Sequence, residues 1–214
     1  MKNALIVLDI DQTLIDTINL PSAKILLETK KITRKPSYID KTSNNAIWER
    51  PYLKLFLEYL DKNFTYIGIW TNGTPYWLNL IVKKIITKYV PKKKLLVLYS
   101  INKSDVENVE RNIGEYHFRQ SIYLKKLEKI WKNVPKKYNI SEKNTLLIDD
   151  NFDNCIYNKK NSLPARKFSI LSGQNDTNLK NLIYILNELK NSNNFNNTLD
   201  KVYNNITDFK KLFI

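Results

Sequence analysis

The stretch ALIVLDIDQTLIDT, residues 4–17, constrains the fold more than any other part of the chain. Leu5, Ile6, Val7 and Leu8 form an unbroken apolar run, which predicts a strand buried on both faces, as in a parallel sheet. The run ends in Asp9, with Asp11 two places later and Thr13 two after that. Two such close carboxylates repel each other, so something must compensate them where the strand ends.

The same pattern returns further along. Residues 66–70 predict a second strand, ending at Thr71-Asn72-Gly73, and residues 95–99 a third. Residues 145–148 predict another, ending in Asp149-Asp150-Asn151, and a last strand is expected over residues 165–171. Helical spacing lies between them. Tyr52, Leu53, Leu55, Phe56, Leu57, Tyr59 and Leu60 share a face behind Pro51. Further helices are expected over residues 75–89, 123–131 and 179–189, the third of these four on the spacing of Leu124, Leu127 and Trp131. Strands alternating with helices predict an α/β fold, a doubly wound, Rossmann-like parallel sheet with ligands at the carboxyl ends of its strands.

Two polar stretches interrupt the pattern. Residues 18–46 show no long helical period and suggest an insertion no larger than a hairpin through Tyr38 and Ile39, hence no large cap domain; residues 100–120 suggest no element. The expected organisation is one catalytic domain over residues 1–190. An Asn-rich linker (NSNNFNNT, residues 191–198) and a tail that could dock as a short helix follow over 191–214.

Composition narrows the setting. A single cysteine, Cys155, excludes an internal disulfide framework and points to a reducing compartment. No segment approaches the ~18 apolar residues of a membrane span, and the first residues read as a strand and not a secretory signal. An intracellular monomer with no membrane partner is expected, in nucleus or cytoplasm. The net charge of +14 comes from 35 basic residues, nearly all lysine. The lysine blocks lie beside loops and lack interleaved aromatics, so they support a nucleic-acid partner only weakly.

The strand ends carry the chemistry. Asp9 and Asp11, Thr71 and Asn72, and Asp149 and Asp150 would converge on one crevice if their strands are parallel neighbours. Such a carboxylate set suits Mg²⁺, which is held by few carboxylates, water and substrate phosphate. Residues at i and i+2 point the same way along a strand end. Asp9 is therefore expected to attack phosphorus and form an aspartyl-phosphate, while Asp11 protonates the leaving oxygen and then deprotonates the attacking water. A lysine would hold the transferring oxygens, with Thr71 and loop amides holding the rest.

At this point the residues resemble a known family. DIDQT at 9–13 matches the DxDx[TV] signature of the haloacid-dehalogenase superfamily, and the wider pattern resembles its RNA polymerase II C-terminal-domain phosphatases of the small, NLI-interacting-factor-like type. RPYLKLFLEYL at 50–60 is similar to that branch's RPxxxxFL helix, and IWTNGTPYW to its second motif, with Thr71 in the threonine place. Tyr123-Leu124-Lys125-Lys126-Leu127 is similar to the YxKDL motif and puts the catalytic lysine at Lys125, on the expected helix; Lys126 stands in place of the family's acid. LLIDDN is similar to the third motif. Asn161 ahead of Leu163-Pro164 aligns the family's acidic pair with Asp149 and Asp150. Asn72-Gly73 departs from the small Ala-Ser pair.

The resemblance spans residues 3–190 in order. It implies a Mg²⁺-dependent phosphoserine/phosphothreonine protein phosphatase, with a phosphorylated tail such as that of the polymerase as substrate. Asp9, Asp11, Lys125 and Asp149 would be catalytic, Thr71, Asn72 and Lys125 would bind phosphate, and Asp9, Asp11 and Asp150 would hold the metal, Asp11 through its backbone carbonyl. Two alternatives use the same residues: a phosphatase of nucleotides, nucleic-acid ends or small phosphometabolites, and a non-catalytic binding module. Cys155 reads as a core residue, and Trp70 and Trp77 read as packing residues ahead of the alternative that they line a substrate groove.

Overall fold

The computed structural model describes residues 3–102, 106–113, 116–190, 194, 195, 197, 199 and 200. β1 (Leu5–Leu8) is buried along its whole length. The chain then turns through residues 9–14, where the N–H groups of Leu14 and Ile15 return to the Ile10 carbonyl at 2.9 and 3.2 Å. Gln12 takes a left-handed conformation here (φ 63°), a rare one for a residue with a side chain and frequent beside functional sites.

This turn leads into the insertion, which is larger than a hairpin. It comprises β2 (Ile15–Asn19), α1 (Leu20–Glu28), β3 (Tyr38–Asp40) and β4 (Asn45–Glu49), with the strands paired antiparallel in the order β2-β4-β3. α1 left no helical period in the sequence because Ala23 is its one buried residue. Its local signals are caps: Asn19 Oδ1 accepts the Ser22 N–H at 3.0 Å, and Pro21 sits in the first turn.

α2 (Leu53–Asn63) buries Leu53, Phe56, Leu57 and Leu60, one face of a helix. Pro51 lies just before it. After β5 (Tyr66–Trp70), Thr74 caps α3 (Pro75–Lys84) by accepting the Trp77 N–H at 3.2 Å. The helix gives way to a 3₁₀ turn at Ile86–Lys88 and so is shorter than residues 75–89. β6 (Leu95–Tyr99) follows, and the polar stretch after it holds a long antiparallel pair, β7 (Val106–Ile113) and β8 (Tyr116–Tyr123).

The helix expected from residue 123 begins only at α4 (Leu127–Asn133). β9 (Thr145–Asp149), α5 (Phe152–Tyr157), β10 (Ser162–Pro164) and α6 (Asn178–Leu189) complete the described elements. The strand expected over residues 165–171 is irregular backbone instead. Its N–H groups turn aside, Phe168 to the Gln12 carbonyl at 2.7 Å and Ile170 to Asp16 Oδ2 at 2.8 Å.

The central sheet is parallel throughout, in the order β10-β9-β1-β5-β6. Alternate residues of β1 serve opposite faces, as strand geometry requires. Ile6 and Leu8 pack with α2, α3 and α6, while Leu5 and Val7 pack with Leu127 and Ile130 of α4. Phe195 and Leu199, past α6, are fully buried in the first of these clusters. Beyond residue 200 the expected docking helix lies outside the described residues. No described helix is long and apolar enough to cross a membrane.

Candidate active site

Register brings the strand ends together. Leu8 stands level with Ile69 of β5 and Ile148 of β9, and the Asp9 N–H continues the ladder to the Ile148 carbonyl at 3.0 Å. Asp9, Thr71 and Asp149 therefore share one edge. A crevice of about 520 Å³ opens above it, lined by Asp9, Asp11, Asn72, Lys125, Asp149 and Asp150 among others.

Lys125 closes the floor. Its side chain is 2% exposed, and Nζ donates to Asp9 Oδ1 and, at 2.8 Å, to Asp149 Oδ2. Lys126 leads away, paired with Glu107 and lying 5.4 Å over the Tyr157 ring. Neither residue is inside a helix: Lys125 lies in the link between β8 and α4, and Lys126 is the N-cap residue of α4 with extended backbone. Two asparagines of α5 and its C-cap set that link. Lys125 N–H donates to Asn154 Oδ1 at 3.0 Å, Asn158 Nδ2 donates to the Lys125 carbonyl at 2.7 Å, and Leu127 N–H donates to Asn158 Oδ1 at 3.1 Å. Extended backbone sends successive side chains to opposite sides.

The rim is held by separate donors. Asp11 Oδ2 accepts from Thr71 Oγ1 at 3.0 Å, and Trp77 Nε1 donates to Asp11 Oδ1 at 2.9 Å. Thr71 caps no helix; that role falls to Thr74. Instead its hydroxyl also accepts the Gly73 N–H at 2.9 Å. Gly73 has no room for a side chain, since a Cβ would stand 2.5 Å from Trp77 Cδ1. Asn72 is exposed, reaching the Tyr123 carbonyl at 3.4 Å. Asp150 Oδ1 accepts from Thr13 Oγ1, and the same hydroxyl accepts the Asp150 N–H, both at 3.0 Å.

Among the described residues one buried ammonium faces four carboxylates, and all four are pushed above the ordinary carboxylate range. Burial raises Asp9 and Asp149 to about 6 in spite of Lys125, with the Asp150 and Asp11 charges adding to the rise of Asp9 and the Asp9 charge to that of Asp149. Burial also raises Asp11 against the donors Thr71 and Trp77, and burial with the Asp149 charge raises Asp150. Lys125 moves up as well, because its two carboxylate partners outweigh its own burial.

A cation would relieve this imbalance. Asp9, Asp149 and Asp150 each offer an oxygen, all within 4.8 Å of one another. Asp149 is already supplied: besides Lys125, the Asn151 N–H donates to it at 2.8 Å and Asn154 Nδ2 at 3.1 Å. Asp9 and Asp150 keep oxygens for a ligand. The donors are hard oxygens, which fits Mg²⁺.

Three features escaped the reading of the sequence. Trp77, taken as a packing residue, orients Asp11; its place in the first turn of the helix behind Thr71 was the available signal. Asn154 and Asn158 show as a pair at i and i+4, one face of α5 and its C-cap. Arg50 is buried, donating Nη1–H to the Thr13 carbonyl at 2.9 Å and two further N–H groups to the Asp176 carboxylate at 2.8 and 2.9 Å. Cys155 is buried and burial pushes its thiol up, the setting of a packing residue.

The chain matches the family model described as NLI interacting factor-like phosphatase over residues 4–196. It is 30% identical over 151 residues to the CTD phosphatase-like protein 355R of Invertebrate iridescent virus 6, covering 70% of this chain and 76% of that one. The protein of the same name in Invertebrate iridescent virus 3 is 33% identical over 98 residues, 44% of this chain and 52% of that one. Among solved structures it resembles Fcp1, an essential RNA polymerase II CTD phosphatase, with a TM-score of 0.51 and 16% identity. A fission yeast Fcp1 bound to beryllium fluoride gives 0.50 and 18%. These likenesses concern the fold. They cover 88% and 87% of this chain, which spans about half of the Fcp1 chains, 51% and 49%.

Proposed function

This chain belongs to the NLI interacting factor-like phosphatase family, and from that premise we propose that it is a Mg²⁺-dependent phosphatase of phosphoserine and phosphothreonine in proteins. The observation that carries the reading is the buried Asp9–Lys125–Asp149 array at the crevice floor, with Asp11 held apart at the rim.

Asp9 attacks phosphorus as the bond to the leaving oxygen breaks, forming an aspartyl-phosphate. Asp11, oriented by Thr71 and Trp77 and raised by burial, gives its proton to that oxygen. Its carboxylate then takes a proton from water, which attacks the aspartyl-phosphate and releases phosphate and Asp9. Lys125 keeps its charge throughout and stabilises the transferring oxygens, and Thr71, the Asn72 amide and the nearby loop N–H groups complete the cradle. Asp149 holds Lys125 in place. Asp9 and Asp150 would hold Mg²⁺, with the Asp11 backbone carbonyl. When bound, the ion would offset the repulsion between anionic nucleophile and anionic phosphate.

A protein substrate is supported by two findings. The viral relatives are named CTD phosphatase-like and Fcp1 is a polymerase CTD phosphatase. The crevice is also open to solvent at its rim, where Asn72 and Asn151 are exposed, which suits a macromolecule better than a small metabolite. Residues 1–190 would form the catalytic domain of an intracellular monomer, acting in nucleus or cytoplasm.

The test is phosphate release from phosphopeptides, nucleotides and 3′- or 5′-phosphorylated oligonucleotides, with and without EDTA. Turnover of phosphopeptides that stops with EDTA and returns with Mg²⁺ is expected. Activity that survives exhaustive chelation would remove the metal, and activity confined to nucleotides or oligonucleotides would remove the protein substrate.

A further inference from the structure

Beside the acidic crevice lies a second hollow of about 580 Å³, between the irregular run after β10 and the start of α6. Lys167 lines both, and its charge acts on Asp150 in the first. The two hollows therefore adjoin at Lys167, and they differ in sign. Arg166 stands exposed at the second, without a side-chain partner among the described residues. The rest of its wall is hydroxyls and amides, from Ser169, Gln174 and Asn181 among others, with Leu171 as an apolar exception.

The acid of this wall, Asp176, does not oppose an anion. Its carboxylate is occupied by the bidentate Arg50 guanidinium and by the Asn178 N–H at 3.0 Å. The first turn of α6 carries no acidic side chain either.

We propose that this hollow is a specificity site for a second phosphate on the same peptide, so that the preferred substrate is multiply phosphorylated. The proposal rests on the protein-phosphatase reading above and deepens it. Arg166 supplies a planar donor fork suited to phosphate. Lys167 stands between the two phosphates. Among the described residues the wall offers no aromatic surface for stacking a base, which favours a phosphopeptide over a single-stranded nucleic acid.

Steady-state kinetics on the full chain tests this. One peptide series carries a reacting phosphoserine and, at a second position, phosphoserine, glutamate or serine. The second position is stepped along the extended peptide, about 3.3 Å per residue. At the best spacing the doubly phosphorylated peptide should exceed the singly phosphorylated one about tenfold in kcat/KM, chiefly through KM, with glutamate between them. Arg166→Ala should abolish that preference while leaving the singly phosphorylated peptide unchanged, and Lys167→Ala should weaken both.

Equal kcat/KM across the series at every spacing would overturn the proposal. So would an Arg166→Ala variant that lost affinity for a phosphorylated oligonucleotide and kept its peptide preference. Should no peptide turn over, binding to Asp9→Asn protein separates the two ideas. Tighter binding of the doubly phosphorylated peptide, lost in Asp9→Asn/Arg166→Ala, would support the site though the protein-phosphatase reading had failed.

Discussion

At the crevice floor, Asp9, Lys125 and Asp149 are nearly sealed from solvent, and Asp149 accepts from Lys125, Asn151 and Asn154. At the rim, Asp11 and Asp150 stand partly in solvent, each held by a hydroxyl, and Lys126 reaches out to Glu107. The residue types are the same, aspartate and lysine, and one peptide bond separates Lys125 from Lys126. The difference teaches that charge in this sequence acquires a role through the backbone that carries it. The floor is an array of side chains packed in place before substrate arrives, whereas the rim can still exchange partners with solvent.

The largest test of that contrast is Asp9→Asn. Turnover should fall by more than about a hundredfold, the scale on which nucleophiles contribute. The melting temperature should not fall, because a carboxylate is removed from a site with too many. Residual activity above a hundredth would take the nucleophile's part away from Asp9.

Lys125→Ala against Lys126→Ala probes the boundary. Removing a donor aimed at transition-state charge costs about a hundredfold or more, and this one also leaves buried carboxylates uncompensated. Lys125→Ala should therefore lose turnover and lower the thermal midpoint together. Lys126→Ala, which removes a half-exposed pair at the edge of the site, should shift stability by no more than about 1 kcal/mol and leave turnover near wild type. A reversed pair of results would break the comparison.

Asp11→Asn should be milder and selective. Phosphopeptides need a protonated leaving group and activated aryl phosphates do not, so the deficit should shrink on the aryl substrates. Equal losses on both would exclude Asp11 as the general acid.

The smallest effect is a pH dependence in the Mg²⁺-induced rise of the melting temperature. Asp9 and Asp149 sit near 6 in the metal-free protein, above their ordinary values, so the folded state takes up protons as pH falls through 6. In metal-free protein the stabilisation from these protons is complete at low pH and lost as pH rises through 6. Mg²⁺ binding requires the deprotonated forms. Scanning calorimetry should thus show a small Mg²⁺ increment at pH 5 and a full one at pH 8. A constant increment would place the ion elsewhere.

Legibility in the sequence follows the same contrast. β1, β5, β6 and β9 could be read because an apolar run that ends in polar residues has few other meanings in a parallel sheet. Residues 165–171 misled because Phe168 and Ile170 are buried around half-buried Ser169, a two-residue period without a strand partner. Leu124 misled in the same way, buried in a link that the spacing to Leu127 makes look helical. β7 spaces Val106, Val109 and Ile113 three and four apart, which hides a two-residue period. At the site, residue types picked out the aspartates that line the crevice, and the family pattern picked out Lys125, which lies at its floor. Trp77 and the Arg50–Asp176 pair depend on contacts that no local spacing records.

Those distant contacts also bear on how the molecule comes into being. Lys125 is 116 residues from Asp9, Arg50 is 126 from Asp176, and Thr13 is 137 from Asp150. Loops of that length close late, after hairpins and helices that need only neighbours. A chain still emerging from the ribosome can form β7–β8 and several helices while Asp9 has no Lys125 beside it and Thr13 no Asp150. Synthesis must reach Asp176 before the turn that carries Asp9 has its guanidinium brace complete, so the site is among the last parts of the fold that the chain can finish.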